Sequence, residues 1–185
     1  MTIIYIHGFA SSGQGGKASL FREYFEEELI APSLSHIPKL AIDTLEQLIE
    51  VLLEKDETVG LVGSSLGGYY SIYLANKYDL KAVLINPAIY PHKTLDKVGM
   101  TMNYYDGSSF EVTNEHIQTL KGLEVQEIQT QENFMTLLQT EDEVLDYSEA
   151  AEKLSESELV IEEGGNHSFE NIESYFRKIY SFLDS

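Results

Sequence analysis

Five residues constrain this chain more than any others. Gly63-Ser64-Ser65-Leu66-Gly67 lies between an apolar, strand-like run at 58–62 and a helix-period segment at 66–78. A serine on so sharp a strand-to-helix turn takes a strained backbone, and the residues two before and two after it must be small for strand and helix to approach. Gly63 and Gly67 fill those places around Ser65, and Gly68 adds another close-packing position. Ser64 suits the central place less well, because Val62 and Leu66 would then have to be the small neighbours. The pattern predicts Ser65 as a nucleophile presented at the end of a buried strand.

The rest of the chain alternates short β-branched runs with longer segments of helical period, which predicts an α/β fold in three layers: a mostly parallel sheet with helices on both faces. Strands are expected at 2–7, 58–62, 81–86, 134–138 and 159–162, with a short one at 30–32. Helices are expected at 18–29, 66–78, about 148–154 and about 170–183. A further helix should open at Asp43-Thr44-Leu45-Glu46, which has capping-box spacing, and bury Leu45, Leu48, Ile49, Leu52 and Leu53. Between 87 and 127 the periodicity degrades around Pro87, Pro91 and the run Asn103 to Ser109, so this segment is read as a short cap-like insertion. At 185 residues, with 43% apolar residues, the whole of 1–185 is expected to form a single domain around one core.

A serine hydroxyl is a weak nucleophile until a neutral imidazole takes its proton, and the imidazole needs a carboxylate to hold its tautomer. His167 follows the strand at 159–162 in Gly164-Gly165-Asn166-His167, and paired glycines before a histidine suggest a backbone bent to aim one side chain. For the acid, Asp142 sits in the turn Gln139-Thr140-Glu141-Asp142-Glu143-Val144, with Glu143 and Glu141 as the next choices. Asp146 reads instead as a helix N-cap. An oxyanion needs two N–H donors. Leu66 follows the nucleophile and supplies one; His7-Gly8-Phe9, ending the first strand, offers the Phe9 N–H as the second, with His7 as a support for that loop.

Composition narrows the partners. Twelve Lys and Arg against 31 Asp and Glu leave a net charge of -19, which repels phosphate backbones and anionic lipid surfaces, so no nucleic acid and no membrane partner is expected. Without cysteine there is no disulfide framework, thiolate cage or cysteine nucleophile. No apolar run approaches the ~20 residues needed to cross a bilayer, and no signal-peptide pattern precedes Ile3, so the protein reads as cytoplasmic. Gly13-Gln14-Gly15-Gly16-Lys17 imitates a phosphate loop but has Ser11 at its first glycine place and Ala18 after the lysine. His36, His92 and His116 lack metal-ligand spacing, and no metal or cofactor is expected. Tyr69, Tyr70 and Tyr73 read as packing residues.

Several blocks also resemble a known family. Ile4-Tyr5-Ile6-His7-Gly8-Phe9 with Ser11-Ser12, Gly63 to Tyr70, Leu84-Ile85-Asn86-Pro87-Ala88, Leu137 to Tyr147 and Glu162 to Phe169 are similar to the YqiA-type small esterases, the UPF0227 group of the α/β-hydrolase superfamily. The likeness runs almost end to end, and its last two blocks are the most selective. It implies the α/β-hydrolase fold with a minimal cap, and Ser65, Asp142 and His167 as the matching triad. The expected activity is serine carboxylesterase chemistry on small-molecule short acyl esters, extending to acyl-CoA thioesters. On the same triad a C–C bond hydrolase or lyase is the alternative, and a non-catalytic ligand-binding relative is another. Only Lys17 and Arg22 stand near the expected mouth as cations for CoA phosphates.

Overall fold

The computed structural model describes residues 1–95 and 98–185. The first strand, β1 (Thr2–Ile6), is apolar almost without interruption. Successive side chains of a strand point to opposite faces, so such a run requires cover on both. Ile3 and Tyr5 face one layer, formed by α1 (Gly16–Phe25) and α7 (Phe176–Leu183); Ile4 and Ile6 face the other. That second layer contains α2 (Pro38–Leu53), α3 (Leu66–Tyr78), α5 (Asn114–Gly122) and α6 (Tyr147–Lys153). These are the three layers that the alternation of segments predicts.

The central sheet joins β1 to β2 (Leu29–Ile30), β3 (Val59–Ser64), β4 (Lys81–Ile85), β7 (Phe134–Gln139) and β8 (Glu158–Glu162). Their order is β2-β1-β3-β4-β7-β8, and every pairing is parallel. All six strands therefore end at one edge, and the loops leaving that edge are where an open α/β sheet carries its ligands.

Three local expectations are corrected. The second helix starts at Pro38, with Ile37 as N-cap, rather than at Asp43. Proline at the first helical position has its φ already set for a helix and loses no bond there. Asp43 instead accepts from the Gln47 side chain one turn on at 2.7 Å, and Thr44 Oγ1 donates back to the Leu40 carbonyl at 2.9 Å. The first helix stops at Phe25, short of Leu29, because Glu26 turns to φ 49° and Leu29 pairs with Ile3 in the sheet. Three consecutive glutamates at the negative end of a helix dipole also oppose its extension. The last helix begins at Phe176, after a 3-10 turn over Ile172–Tyr175.

Irregular sequence in the 87–127 segment hides regular structure. It contains a single helical turn, α4 (Pro91–Thr94), an antiparallel hairpin of β5 (Gly99–Met102) and β6 (Ser109–Val112), and α5. Phe110 and Val112 of the hairpin pack with Ala10, and the Tyr104 N–H donates to the Ala10 carbonyl at 2.7 Å. The hairpin is thereby fastened to the loop that follows β1.

Candidate active site

The turn after β3 has the backbone that its glycines require. Ser65 sits at φ 55°, ψ -121°, a region where a side-chain-bearing residue costs roughly 1–3 kcal/mol. Its N–H donates to the Ile85 carbonyl at 3.0 Å, and its carbonyl accepts from Gly68 and Ala88 N–H at 2.9 and 3.0 Å. These bonds hold the turn against its strain. A Cβ on Gly67 would collide with the Ile6 carbonyl oxygen, one on Gly63 with the Gly67 carbonyl, and one on Gly68 would come within 2.6 Å of Pro87. The small residues are thus needed for backbone approach, as the motif's spacing implies.

The loop after β8 brings His167 across 102 positions of sequence to this turn. Its Nε2 lies 2.9 Å from Ser65 Oγ, and its Nδ1 lies 2.8 and 3.0 Å from the two carboxylate oxygens of Asp142. Asp142 stands in the turn after β7, its side chain only 2% exposed. Burial raises its carboxyl, but hydrogen bonds from the His167 ring and from the Leu145 and Val144 N–H groups outweigh that and hold it below the ordinary value of 3.8. A charged carboxylate therefore faces Nδ1, which fixes the ring with its proton there and leaves Nε2 free to accept from the serine.

The competing acids have other partners. Glu143 accepts the backbone N–H of His167 at 2.9 Å, and Glu141 donates its own N–H to the Gly164 carbonyl at 3.1 Å. Both tie the β7 turn to the histidine loop, and among the described residues neither hydrogen-bonds to the imidazole. Asp146 caps α6 by accepting from Ser148 N–H at 2.9 Å.

Two buried amides build the platform beneath this loop, and no sequence signal had assigned either a role. Asn86, at the end of β4, donates to the Asn166 carbonyl at 2.9 Å and accepts from Gln139 N–H at 3.0 Å. The Gln139 side chain accepts from Asn166 and Glu170 N–H at 3.1 and 2.8 Å and donates to Glu162 at 2.8 Å. Gly165 runs at φ 77°, with Gln139 occupying the space a Cβ would need. The glycines before His167 thus serve a turn wrapped over one buried glutamine.

On the other side, the loop after β1 comes so close that a Cβ on Gly8 would lie 3.2 Å from that of Ser65. His7 supports the loop as expected: its Nδ1 donates to the Gly8 carbonyl and its Nε2 accepts the Leu34 N–H, both at 2.9 Å. That arrangement needs a neutral ring, and burial lowers the His7 pKa below 6.5. Phe9 and Leu66 line the cavity beside Ser65, and among the described residues neither N–H donates to another backbone or side-chain group.

The cavity over Ser65 has a volume of about 840 Å³. Its walls are largely apolar, with Leu66, Ala88, Pro91, Leu95, Val144 and Leu145 among the lining residues, and Tyr104 is added by the hairpin. Among the described residues one Lys or Arg enters it: Lys17, whose Nζ donates to Ser64 Oγ at 2.7 Å. Arg22, grouped with Lys17 on sequence, is committed elsewhere, to the Gly13 carbonyl at 2.8 Å. Lys17, expected near the mouth, owes its contact with Ser64 to distant folding, since Ser64 lies 47 positions away.

The remaining singled-out residues pack or cap. Tyr69 and Tyr70 are buried, and the Tyr69 hydroxyl donates to the Leu120 carbonyl. His116 shares a capping box with Thr113 at the start of α5, His36 packs on Phe110, and His92 lies 3.8 Å from Glu124. Among the described residues no helix is long and apolar enough to cross a membrane.

A parallel sheet with helices on both faces, its third strand ending in a strained serine that meets a histidine from the last loop, is the α/β-hydrolase fold. Solved structures agree: the chain aligns with Est1E from Butyrivibrio proteoclasticus, with ferulic acid bound, at a TM-score of 0.75 and 13% identity, over 98% of this chain and 87% of that one. It aligns with alpha/beta hydrolase domain-containing protein 10 from mouse at a TM-score of 0.72 and 16% identity, over 99% and 88% of the two chains. The model of the family described as "Uncharacterised protein family (UPF0227)" matches residues 2–184, and the chain belongs to that family. It is 27% identical over 187 residues to the UPF0227 protein YcfP of Salmonella paratyphi A and, equally, to that of Escherichia coli O9:H4, covering 97% of both partners in each case.

Proposed function

We propose that the protein is a serine hydrolase that cleaves carboxylic esters or thioesters through an acyl-enzyme. The observation that carries this reading is the unbroken hydrogen-bonded line from Ser65 Oγ through the His167 ring to Asp142, opening into a cavity large enough for an acyl chain.

In the first half-reaction Ser65 Oγ attacks the carbonyl carbon as its proton moves to His167 Nε2. Asp142 stabilises the imidazolium that results, and the Phe9 and Leu66 N–H groups take up the oxyanion. The tetrahedral intermediate collapses when His167 returns that proton to the departing alcohol or thiol, leaving Ser65 acylated. Water then repeats the sequence from the other side: His167 takes a proton from water, hydroxide adds to the acyl carbon, and Ser65 leaves with its proton restored. The apolar wall suits a short acyl group, and Pro91, Leu95 and Tyr104 give the 87–127 segment the part of a small cap.

A fluorophosphonate probe tests the reading. Wild type should label at a single site, Ser65→Ala should not label, and matched oxygen esters and acyl-CoA thioesters should then rank the leaving groups. Failure of the folded wild type to label or to turn over any of these would leave a non-catalytic ligand-binding protein.

A further inference from the structure

Lys17 has no part in the chemistry assigned to Ser65, His167 and Asp142, yet it lines the same cavity. It stands in the first turn of α1, on the layer shared with α7, and its amine reaches Ser64 at the carboxyl edge of the sheet. An ammonium has three N–H donors. One is satisfied by Ser64 Oγ, and among the described residues Lys17 forms no salt bridge. Asp142 is near enough for its charge to act on the amine, but its oxygens are engaged by His167, Val144 and Leu145. The other polar groups lining this cavity include Tyr5, Ser11 and Ser168, which are neutral.

A half-buried cation loses part of its hydration, and one serine hydroxyl is poor compensation for that; a methionine would fill the same space without the cost. The arrangement is explained if the missing counter-charge arrives with the ligand. On a chain of net charge -19, an ammonium that is the one Lys or Arg among the described residues lining a largely apolar pocket is also a selective one. A single ammonium matches a monoanion, and a cavity that puts apolar residues and this ammonium on the same wall suits a carboxylate carried on a carbon chain.

We propose that Lys17 is an anion seat, binding a carboxylate carried by the substrate so that half-esters of dicarboxylic acids and similar anionic esters are preferred to neutral ones. This rests on the reading of the cavity as an ester site. Burial pushes the Lys17 ammonium down to about 8 while Asp142 opposes the shift, so the seat is charged at neutrality and empties of charge above that pH. Among the described residues the other titratable groups lining the cavity are Tyr5, which burial keeps neutral, Tyr104, and His167.

Binding to Ser65→Ala, measured by calorimetry, separates this proposal from the chemistry. Monomethyl glutarate carries its carboxylate on the acyl side and butyryl glycolate on the alcohol side; dimethyl glutarate and methyl butyrate are neutral counterparts. At pH 7 one anionic ester should bind about 10- to 100-fold more tightly than its neutral counterpart, the range of a charge-assisted hydrogen bond, and which one does so identifies the side. The preference should vanish in Lys17→Met/Ser65→Ala, persist in part in Lys17→Arg/Ser65→Ala, and fall as pH rises through about 8. Equal binding of charged and neutral esters, or a preference that survives Lys17→Met, overturns the seat. Lys17-dependent binding without fluorophosphonate labelling of wild type would sink the hydrolase reading and keep the seat; labelling without any charge preference does the reverse.

Discussion

Replacing Asp142 by asparagine exchanges one carboxylate oxygen for an NH2 group and should nearly abolish turnover. One carboxylate oxygen accepts from Val144 and Leu145 N–H at 2.9 and 2.8 Å, while the other makes the shorter contact with His167 Nδ1 at 2.8 Å. In the variant, the two backbone donors claim the amide oxygen, so the amide NH2 is forced toward His167. A donor facing Nδ1 is tolerated only if Nδ1 gives up its proton, and the ring then carries it on Nε2. That tautomer cannot accept from Ser65, and the imidazolium of the transition state meets an N–H instead of a negative charge. The loss should be about 10⁴-fold in kcat/KM, or roughly 5 kcal/mol of transition-state stabilisation. Hydrolysis of a nitrophenyl ester at pH 7.5 reads the rate, thermal unfolding checks that the fold survives, and nitrogen NMR of His167 reads the tautomer. Glu143→Gln, which keeps an acceptor for the His167 backbone N–H, should lose less than about tenfold. If Asp142→Asn stays within tenfold of wild type, or Glu143→Gln is the more damaging, Asp142 does not orient the base.

Other consequences concern stability. Gly67→Ala drives a methyl group into the Ile6 carbonyl and should cost at least about 3 kcal/mol in chemical denaturation, or prevent folding; a loss under about 1 kcal/mol would contradict the close approach. Asn86→Ala leaves the Gln139 N–H without its partner, takes one of the donors from the Asn166 carbonyl and places alanine at φ 40°, so unfolding should become easier by about 2–4 kcal/mol, with activity falling through the displaced histidine loop. His7 must be neutral to accept from Leu34, and its folded pKa lies below the ordinary 6.5. Its contribution is therefore complete above about pH 6.5 and is lost as pH falls from there through the folded value, so wild type should destabilise over that window more steeply than His7→Gln. Asp142 acts in the same sense at lower pH: its depressed carboxyl stabilises the fold above about 3.8 and ceases to as pH falls through its folded value, a limb that Asp142→Asn should flatten.

What the sequence determined by itself was whatever neighbouring residues decide between them. The turn at Ser65 is specified by glycines two positions either side, and β1 is recognisable because a run such as Ile3-Ile4-Tyr5-Ile6 can be satisfied only by burial on both faces. Local signals misled where several starts were sterically open: Asp43 has the spacing of a capping box, but Pro38 one turn earlier already had the backbone of a first helical residue. The acidic turn and the family resemblance already put Asp142 ahead of Glu143 and Glu141, but only the tertiary structure gives the 2.8 Å approach of its carboxylate to the His167 ring, because that depends on how the β7 and β8 loops meet. Tertiary structure also made Asn86 and Gln139 the platform for that loop and brought the Lys17 amine to Ser64. These are meetings between strand ends and loops separated by tens of residues, set by the order of strands in the sheet, and no period of 2 or 3.6 encodes that order.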